Sequence, residues 1–132
     1  MAVAVRSGNV SSHRVSLGKT GEELACKELE RRGYAIVARR YRRRRGELDI
    51  IARDGPTLVF VEVKARQGHT FGKAAEAVTT TKRRRIARLA VDYLARHRLS
   101  GCPVRFDVVS IQFDSEPPVI EVIQNAFDGR TT

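Results

Sequence analysis

The spacing of apolar and polar residues predicts an α/β domain with the element order α-β-β-β-α-β-β. Apolar positions three to four apart predict one helix from about Thr20 to Arg32, ended at Gly33, and another from about Lys82 to His97. Short runs rich in β-branched residues predict five strands, at residues 34–38, 47–53, 57–65, 104–113 and 119–123. A three-strand meander followed by a helical crossover and a further strand indicates a mixed sheet flanked by helices.

The 132 residues are enough for one domain with a core but too few for two. We expect the domain at residues 18–127, with a flexible N-terminal tail at 1–17, which lacks periodicity, and a short C-terminal tail at 128–132. No apolar run approaches the roughly 18 to 20 residues that span a bilayer, and the first residues lack a secretory apolar block. A cytoplasmic protein without membrane contact is therefore expected.

Three charged residues interrupt strands that are otherwise apolar. Asp49 lies in the second strand, and Glu62 and Lys64 share one face of the third. Because residues 54–56 predict a tight hairpin, Asp49 and Glu62 should lie near each other. Two such carboxylates repel unless a cation lies between them or one is protonated. Mg²⁺ binds oxygen ligands of this kind beside a phosphate, where Lys64 would orient water or offset charge on phosphorus.

The same pattern also fits a purely structural interpretation. Strict alternation divides the second strand into two faces, with Glu47, Asp49 and Ile51 opposite Leu48, Ile50 and Ala52. If the charged face of the sheet is solvated, an ion pair of Lys64 with Asp49 or Glu62 would explain the charges without a metal.

Glu22 adds a third acid on a face that should be buried. On a helical wheel it lies at the centre of the apolar stripe of the first helix, formed by Ala25, Cys26, Leu29 and Gly33. An acid in a first helical turn is also stabilised by the helix dipole, which is an alternative explanation. A cluster of three inward acids with one lysine favours a metal site over coincidence.

The net charge of +10 predicts a polyanionic partner, most simply nucleic acid, with a membrane surface as the other option. Eight arginines and no acid lie between Arg31 and Arg45, and the stretch 39–45 is expected to be a connector before the strand that carries Asp49. A solvated charge run is the alternative. Lys82 lies one turn before Ile86 on the core stripe of the second helix, so it should point toward the sheet. The predicted phosphate contacts are Lys82, Arg85, Arg42, Arg44, Arg45 and Arg66.

Three ordered motifs resemble the YraN-like family of uncharacterised bacterial proteins. They are Gly21-Glu22-x-x-Ala25-x-x-x-Leu29-x-x-x-Gly33-Tyr34, Gly46-Glu47-Leu48-Asp49-Ile50-Ile51-Ala52 and Val59-Phe60-Val61-Glu62-Val63-Lys64-x-Arg66. The likeness continues through Phe71-Gly72, Lys82, Arg105-Phe106-Asp107 and Asn125-Ala126-Phe127. It covers roughly residues 18 to 127.

The family is similar to the PD-(D/E)xK nucleases, whose restriction-endonuclease-like fold is also seen in archaeal Holliday-junction resolvases. This resemblance implies an α-β-β-β-α-β core with a mixed central sheet. It also implies that Asp49 is the motif aspartate, Glu62-Val63-Lys64 the ExK tripeptide and Glu22 the acid of the first helix. Asp49, Glu62 and the Val63 carbonyl would bind Mg²⁺ or Mn²⁺, with Glu22 acting through water.

One position departs from the family pattern. Where the family often has Asn before an aromatic residue, this chain has Arg40 before Tyr41. The acids are left intact, but the local phosphate contact or the turn geometry should differ.

The leading hypothesis is a metal-dependent endonuclease that hydrolyses phosphodiester bonds in DNA, with branched or flapped substrates expected because no added recognition domain is visible. A junction-cutting enzyme would be expected to form a homodimer, because two strands must be cut symmetrically. The alternative is a non-catalytic nucleic-acid-binding accessory of DNA repair, recombination or uptake. A small basic protein of an RNA assembly is a third hypothesis, so RNA stays open as a partner.

Overall fold

The computed structural model describes residues 10–67 and 78–129, with side chains described for residues 19–67 and 78–129. The elements are α1 (Val10–Arg31), β1 (Ala35–Arg43), β2 (Gly46–Asp54), β3 (Thr57–Arg66), α2 (Thr80–Arg96), β4 (Val104–Gln112) and β5 (Val119–Ile123). The predicted order and fold class are confirmed: a five-stranded mixed sheet is flanked by two helices, as in an α-β-β-β-α-β core.

The sheet has the strand order β1-β2-β3-β4-β5, in which β3 and β4 are parallel and the other neighbours antiparallel. The predicted hairpin between β2 and β3 is present, with Asp54 opposite Thr57 and Gly55 in the left-handed region at φ 59°. Glycine suits that position because it has no β-carbon to clash. A parallel pair requires a crossover, and α2 lies in the connection between β3 and β4.

Each face of the sheet packs against its own helix, because both faces of β3 are apolar at its start. The α2 side buries Leu48, Ile51, Leu58, Phe60, Ile86, Leu89, Ala90, Tyr93, Phe106 and Val108. The α1 side buries Ala25, Cys26, Leu29, Tyr34, Ile50, Ala52, Val59, Val61, Val109 and Ile111. Ala25, Cys26 and Leu29 of the predicted α1 stripe and Ile86 of the α2 stripe are buried as expected, whereas Gly33 is exposed.

The prediction that the arginine-rich stretch 39–45 forms a connector was wrong for most of its length. β1 continues through it to Arg43, with Tyr41 opposite Leu48 and Arg42 opposite Glu47. β1 is an edge strand, so its charged side chains can remain in solvent while the backbone completes the ladder. Charged residues on an edge strand also disfavour pairing with another chain.

The first helix begins at Val10, well before the predicted start near Thr20. Residues 10–17, which were assigned to a tail, are therefore helical. The prediction missed these first turns of α1 because Ser and Gly are weak helix formers and the stretch lacks an apolar stripe. Among the described residues, no helix is both long and apolar enough to cross a bilayer.

Strict alternation fails in β2 at Asp49. Leu48 packs with Ile51 on the α2 side, whereas it was predicted to share a face with Ile50. The neighbouring strand is irregular at the same level, since Arg40 has a left-handed backbone with φ 53°. An interrupted ladder re-aims side chains, as β-bulges commonly do near functional sites.

Asp107 of β4 is fully buried and joins several elements through hydrogen bonds. It accepts from the Tyr34 hydroxyl at 2.9 Å, from the Arg105 guanidinium at 2.9 and 3.1 Å, and from the Asn125 amide at 3.0 Å. Arg105 also donates to Asp54 at 3.0 Å. The buried carboxylate thus accepts four hydrogen bonds from three residues.

Candidate functional site

Asp49 and Glu62 meet where the β2–β3 ladder ends. The last regular pair places Ile50 opposite Val61, so the two acids follow on adjoining strands. Beyond that pair, a hydrogen bond joins the two strands: the Val63 backbone amide donates to the side-chain Oδ2 of Asp49 at 2.9 Å. Glu62 is buried, with 6% of its surface exposed, and Asp49 is partly buried. The predicted proximity of the two acids is therefore present.

The carboxyl group of Asp49 is strongly perturbed by its surroundings. Burial, together with the hydrogen bond and negative charge of Glu62, raises the pKa of Asp49 to about 8, against a smaller lowering by the Val63 amide. A protonated Asp49 can donate to Glu62 at neutral pH. Without another cation, the pair therefore shares a proton instead of carrying two charges.

Two lysines complete this cluster. Lys82 Nζ lies 3.2 Å from Glu62 Oε2. Burial lowers the pKa of Lys82, but the charge and hydrogen bond of Glu62 outweigh this effect and raise it overall. Burial lowers the pKa of Lys64, and the nearby charge of Lys82 lowers it further. Within the described ranges, Lys82 and not Lys64 pairs with Glu62, on a buried face, so a Lys64 ion pair on a solvated face is not present.

Glu22 approaches the same cluster from α1. A β-carbon added at Gly21 would lie 3.0 Å from Cβ of Ala65, so glycine allows α1 to come close to β3. The carboxylate oxygens of Glu22, Glu47 and Asp49 lie within 4.8 Å of one another, close enough to share one cation. Because α1 begins at Val10, Glu22 lies in the helix interior and the first-turn dipole explanation is wrong.

Glu47 is an acid that the sequence analysis did not single out. It lies two residues before Asp49 on β2, and that spacing was the signal that could have identified it. Its carboxylate accepts from Arg42 Nε at 2.9 Å. Arg42, predicted to contact phosphate, is therefore paired within the chain.

Arg40, the departure from the family pattern, lies beside the acids. Its Nε is 2.6 Å from Glu22 Oε2, and its backbone is left-handed at φ 53°. Asn tolerates this backbone region better than most residues, including Arg. In this chain the position instead supplies a cation to Glu22.

The arginines gather in a cavity of about 890 Å³ between the β1–β2 turn and α2. We call it the arginine groove; it is lined by Arg43, Arg44, Arg45, Thr81, Arg84, Arg85, Arg88, Leu89 and Asp92. Gly46 has φ 148°, and a β-carbon there would lie 2.8 Å from Cδ of Arg85. The glycine thus provides the space through which Arg85 crosses the turn.

The six residues predicted to contact phosphate lie in different parts of the structure. Arg44, Arg45 and Arg85 line the arginine groove, and Lys82 is the next residue along the chain after the lining residue Thr81. Arg66 lies apart, at the end of β3 opposite Gln112. Lining residues that the sequence analysis did not include among these contacts are Arg43, Arg84 and Arg88.

Comparison with known proteins supports the family resemblance. The model of the uncharacterised protein family UPF0102 matches residues 21–111. A UPF0102 protein of Geobacter metallireducens is 49% identical over 119 residues, which are 90% of this chain and 98% of that protein. A UPF0102 protein of Rhodococcus opacus is 47% identical over 117 residues, which are 88% of this chain and 99% of that protein.

The matched region contains Glu22, Asp49, Glu62 and Lys82, the charged residues that the structure brings together. The motif residues Phe71 and Gly72 are also matched but lie outside the described residues. From the motifs, the matched length and the level of identity, the chain belongs to the uncharacterised protein family UPF0102.

Proposed function

We propose that this protein is a divalent-metal-dependent endonuclease that acts on DNA. The observation that carries the proposal is the meeting of Asp49 and Glu62, two acids on adjoining strands, in a buried setting with Lys64 and Lys82. One backbone amide is the neutral donor to Asp49 among the described residues. Acids placed together with so few donors favour a cation as the missing partner.

The donor set fits a hard divalent ion. Asp49 and Glu62 offer carboxylate oxygens, and Glu22 and Glu47 bring two more carboxylates to the side of Asp49. Mg²⁺ and Mn²⁺ prefer such oxygen ligands, together with water and substrate phosphate. Neither Cys26, on the α1 side of the core, nor the solvent-exposed His97 competes with this set as a softer ligand.

When bound, the metal would polarise the scissile phosphate and lower the pKa of a water molecule. Asp49 and Glu62 would hold the metal, and Lys64, kept partly buried beside them, would orient a water molecule or offset charge on the phosphate. Lys82 would hold Glu62 in place and, near the N-terminus of α2, offer positive charge to a second phosphate oxygen. The arginine groove would supply sequence-independent affinity for the nucleic-acid backbone.

A cleavage screen tests this proposal. Linear, flapped and four-way DNA are incubated with the protein and Mg²⁺ or Mn²⁺, with EDTA as the metal-free control. We expect cutting that falls about 100-fold or more in Asp49→Asn and in Glu62→Gln, because even outer-shell changes at metal sites cost 10- to 100-fold. Glu121→Gln is a matched control, since it makes the same change at an exposed residue of β5.

Cutting that persists undiminished in both site variants would refute the nuclease assignment for this cluster. Loss of cutting in the Glu121→Gln control as well would show that the effect is not specific to the site.

A non-catalytic nucleic-acid-binding accessory is the second candidate. The specific observation in its favour is that the chain's own cations already lie on two of the acids, Lys82 on Glu62 and Arg40 on Glu22. Such a protein would bind DNA in a salt-sensitive way, would retain binding in Asp49→Asn and would release no product with any metal tested.

A further inference from the structure

The arginine groove carries uncompensated positive charge. Among the described residues, no carboxylate lies within 4.0 Å of the guanidinium groups of Arg44, Arg45, Arg84, Arg85 and Arg88, although all five line one cavity. Asp92 is the lining acid, and it pairs with Arg43 at 3.4 Å and with Arg96 outside the groove. Like charges that converge in a concave surface raise its positive potential, which favours an anionic ligand.

Several arginines outside the groove form ion pairs with acids of the same chain. Arg31, the last residue of α1, and Arg32, which follows it, both contact Glu28, at 2.6 and 2.8 Å, and Arg42 contacts Glu47 at 2.9 Å. The five groove arginines differ from these because they line one cavity and have no carboxylate partner among the described residues.

The groove leads toward the acid cluster. Thr81 lines it, and the next residue, Lys82, contacts Glu62. Arg85 follows Lys82 by one helical turn, so the two side chains lie on the same side of α2. A ligand that carries negative charge at regular intervals could therefore occupy the groove and continue to the candidate active site. A small isolated anion would not use this continuity.

The shape and lining of the groove favour one strand over two. Its volume of about 890 Å³ is in the upper range of small-molecule pockets, so it can enclose a few nucleotides of a flexible strand but is too small to enclose a duplex. Among the described residues, no aromatic side chain lines it, so these residues offer bases no stacking platform and their contacts fall on phosphates. Recognition of this kind is independent of sequence.

We infer that the arginine groove binds the sugar–phosphate backbone of a single-stranded nucleic-acid segment that leads into the acid cluster. The substrate class is therefore DNA in which a single strand adjoins a duplex, as in a flap or an overhang. This assignment of substrate rests on the proposed nuclease function, whereas binding in the groove does not require cleavage.

Binding is measured by fluorescence anisotropy in EDTA, so that failure of cleavage cannot affect the result. The probes are a single-stranded DNA 12-mer, a single-stranded RNA of the same sequence, a blunt duplex and a flapped duplex. Arg84→Gln/Arg88→Gln is compared with Arg31→Gln/Arg32→Gln, which removes the same charge at the C-terminal end of α1, on the opposite side of the sheet. Circular dichroism and the melting temperature verify that both variants are folded.

We expect the single strand and the flapped duplex to bind more tightly than the blunt duplex. The groove variant should bind the single strand about 25-fold more weakly at 0.1 M salt, with the slope of log K against log salt reduced by about 1.4, which is 0.7 per lost phosphate contact. The α1 control should bind as the wild type does. If the RNA strand binds as tightly as the DNA strand, this would support contacts with the phosphates that both carry.

Four results would overturn the inference. They are tighter binding of the blunt duplex than of the single strand, binding of the RNA strand alone, equal weakening by the α1 control, and displacement of the oligonucleotide by an equal concentration of tripolyphosphate or polyglutamate. Cleavage of flapped DNA without any groove effect would leave the nuclease proposal standing and remove only this one. Groove binding without cleavage would leave the binding inference standing and remove the nuclease proposal.

Discussion

Asp107 and Asp49 are acids on strands that flank β3 in the same sheet, yet their surroundings differ. Asp107 accepts hydrogen bonds from a tyrosine, an arginine and a backbone amide, and is completely buried. Asp49 accepts from the Val63 amide and faces Glu62, which helps to raise its pKa to about 8. One carboxylate has a full set of donors, whereas the other has a second acid.

The difference distinguishes a structural carboxylate, Asp107, from Asp49, the one that we propose to be functional. A buried carboxylate with a complete donor set stabilises the fold only as long as the set stays intact. A pair of acids with few donors is unfavourable until a cation arrives, which is the arrangement expected of a metal site.

The largest expected effect is at the structural acid. Asp107→Ala should lower the free energy of unfolding by about 3–5 kcal/mol, because it leaves Arg105 partly buried without its main partner and Tyr34 without an acceptor. Urea denaturation at pH 7 measures the change. A loss below about 1 kcal/mol would show that Asp107 is not the anchor described here.

A smaller effect of opposite sign is expected at Asp49. Its folded-state pKa of about 8 lies above the unfolded value near 4, so the folded state retains a proton that the unfolded state loses. Stability of the metal-free protein should therefore fall as the pH rises from about 4 to about 8 and then level off. Asp49→Asn removes this dependence and should be about 1–3 kcal/mol more stable than the wild type at pH 8.5.

The matched comparison is Asp107→Asn, which makes the same change at the compensated acid and should destabilise at pH 8.5. Chemical denaturation in EDTA at pH 5 and pH 8.5 separates the two variants. If Asp49→Asn destabilises equally at both pH values, Asp49 is a structural acid like Asp107.

The smallest expected effect concerns the backbone at Arg40. Arg40→Gly and Arg40→Ala both remove the contact with Glu22, but only glycine relieves the left-handed backbone at φ 53°. Arg40→Gly should therefore be more stable than Arg40→Ala by about 0.5–1 kcal/mol, measured by thermal unfolding. Equal stability would mean that the chain relaxes at this position.

Much of the fold follows from short-range patterns in the sequence. The stripe of α2 and the two faces of β3 could be predicted, because side-chain direction repeats along a regular element. The meeting of Asp49 and Glu62 followed from the hairpin at residues 54–56, which fixes the register. Lys82 was placed correctly because it shares the core stripe of α2.

Other features depend on irregular backbone and on distant contacts. The break in alternation at Asp49 accompanies the left-handed Arg40, which sequence periodicity cannot reveal. β1 extends through an arginine run because pairing with β2 overrides the composition of that strand. The arginine groove joins the β1–β2 turn to α2, elements far apart in the sequence, so its members could be proposed only one cluster at a time.

The central claim, that the Asp49–Glu62 cluster is a cation site, is tested most directly by Mn²⁺ binding. Titration followed by electron paramagnetic resonance at pH 7.5 measures Mn²⁺ affinity without requiring DNA or turnover. We predict that the wild type binds Mn²⁺, that Asp49→Asn and Glu62→Gln weaken binding more than tenfold, and that Glu121→Gln leaves it unchanged. Absence of binding to the wild type, or equal affinity in all four proteins, would contradict the account.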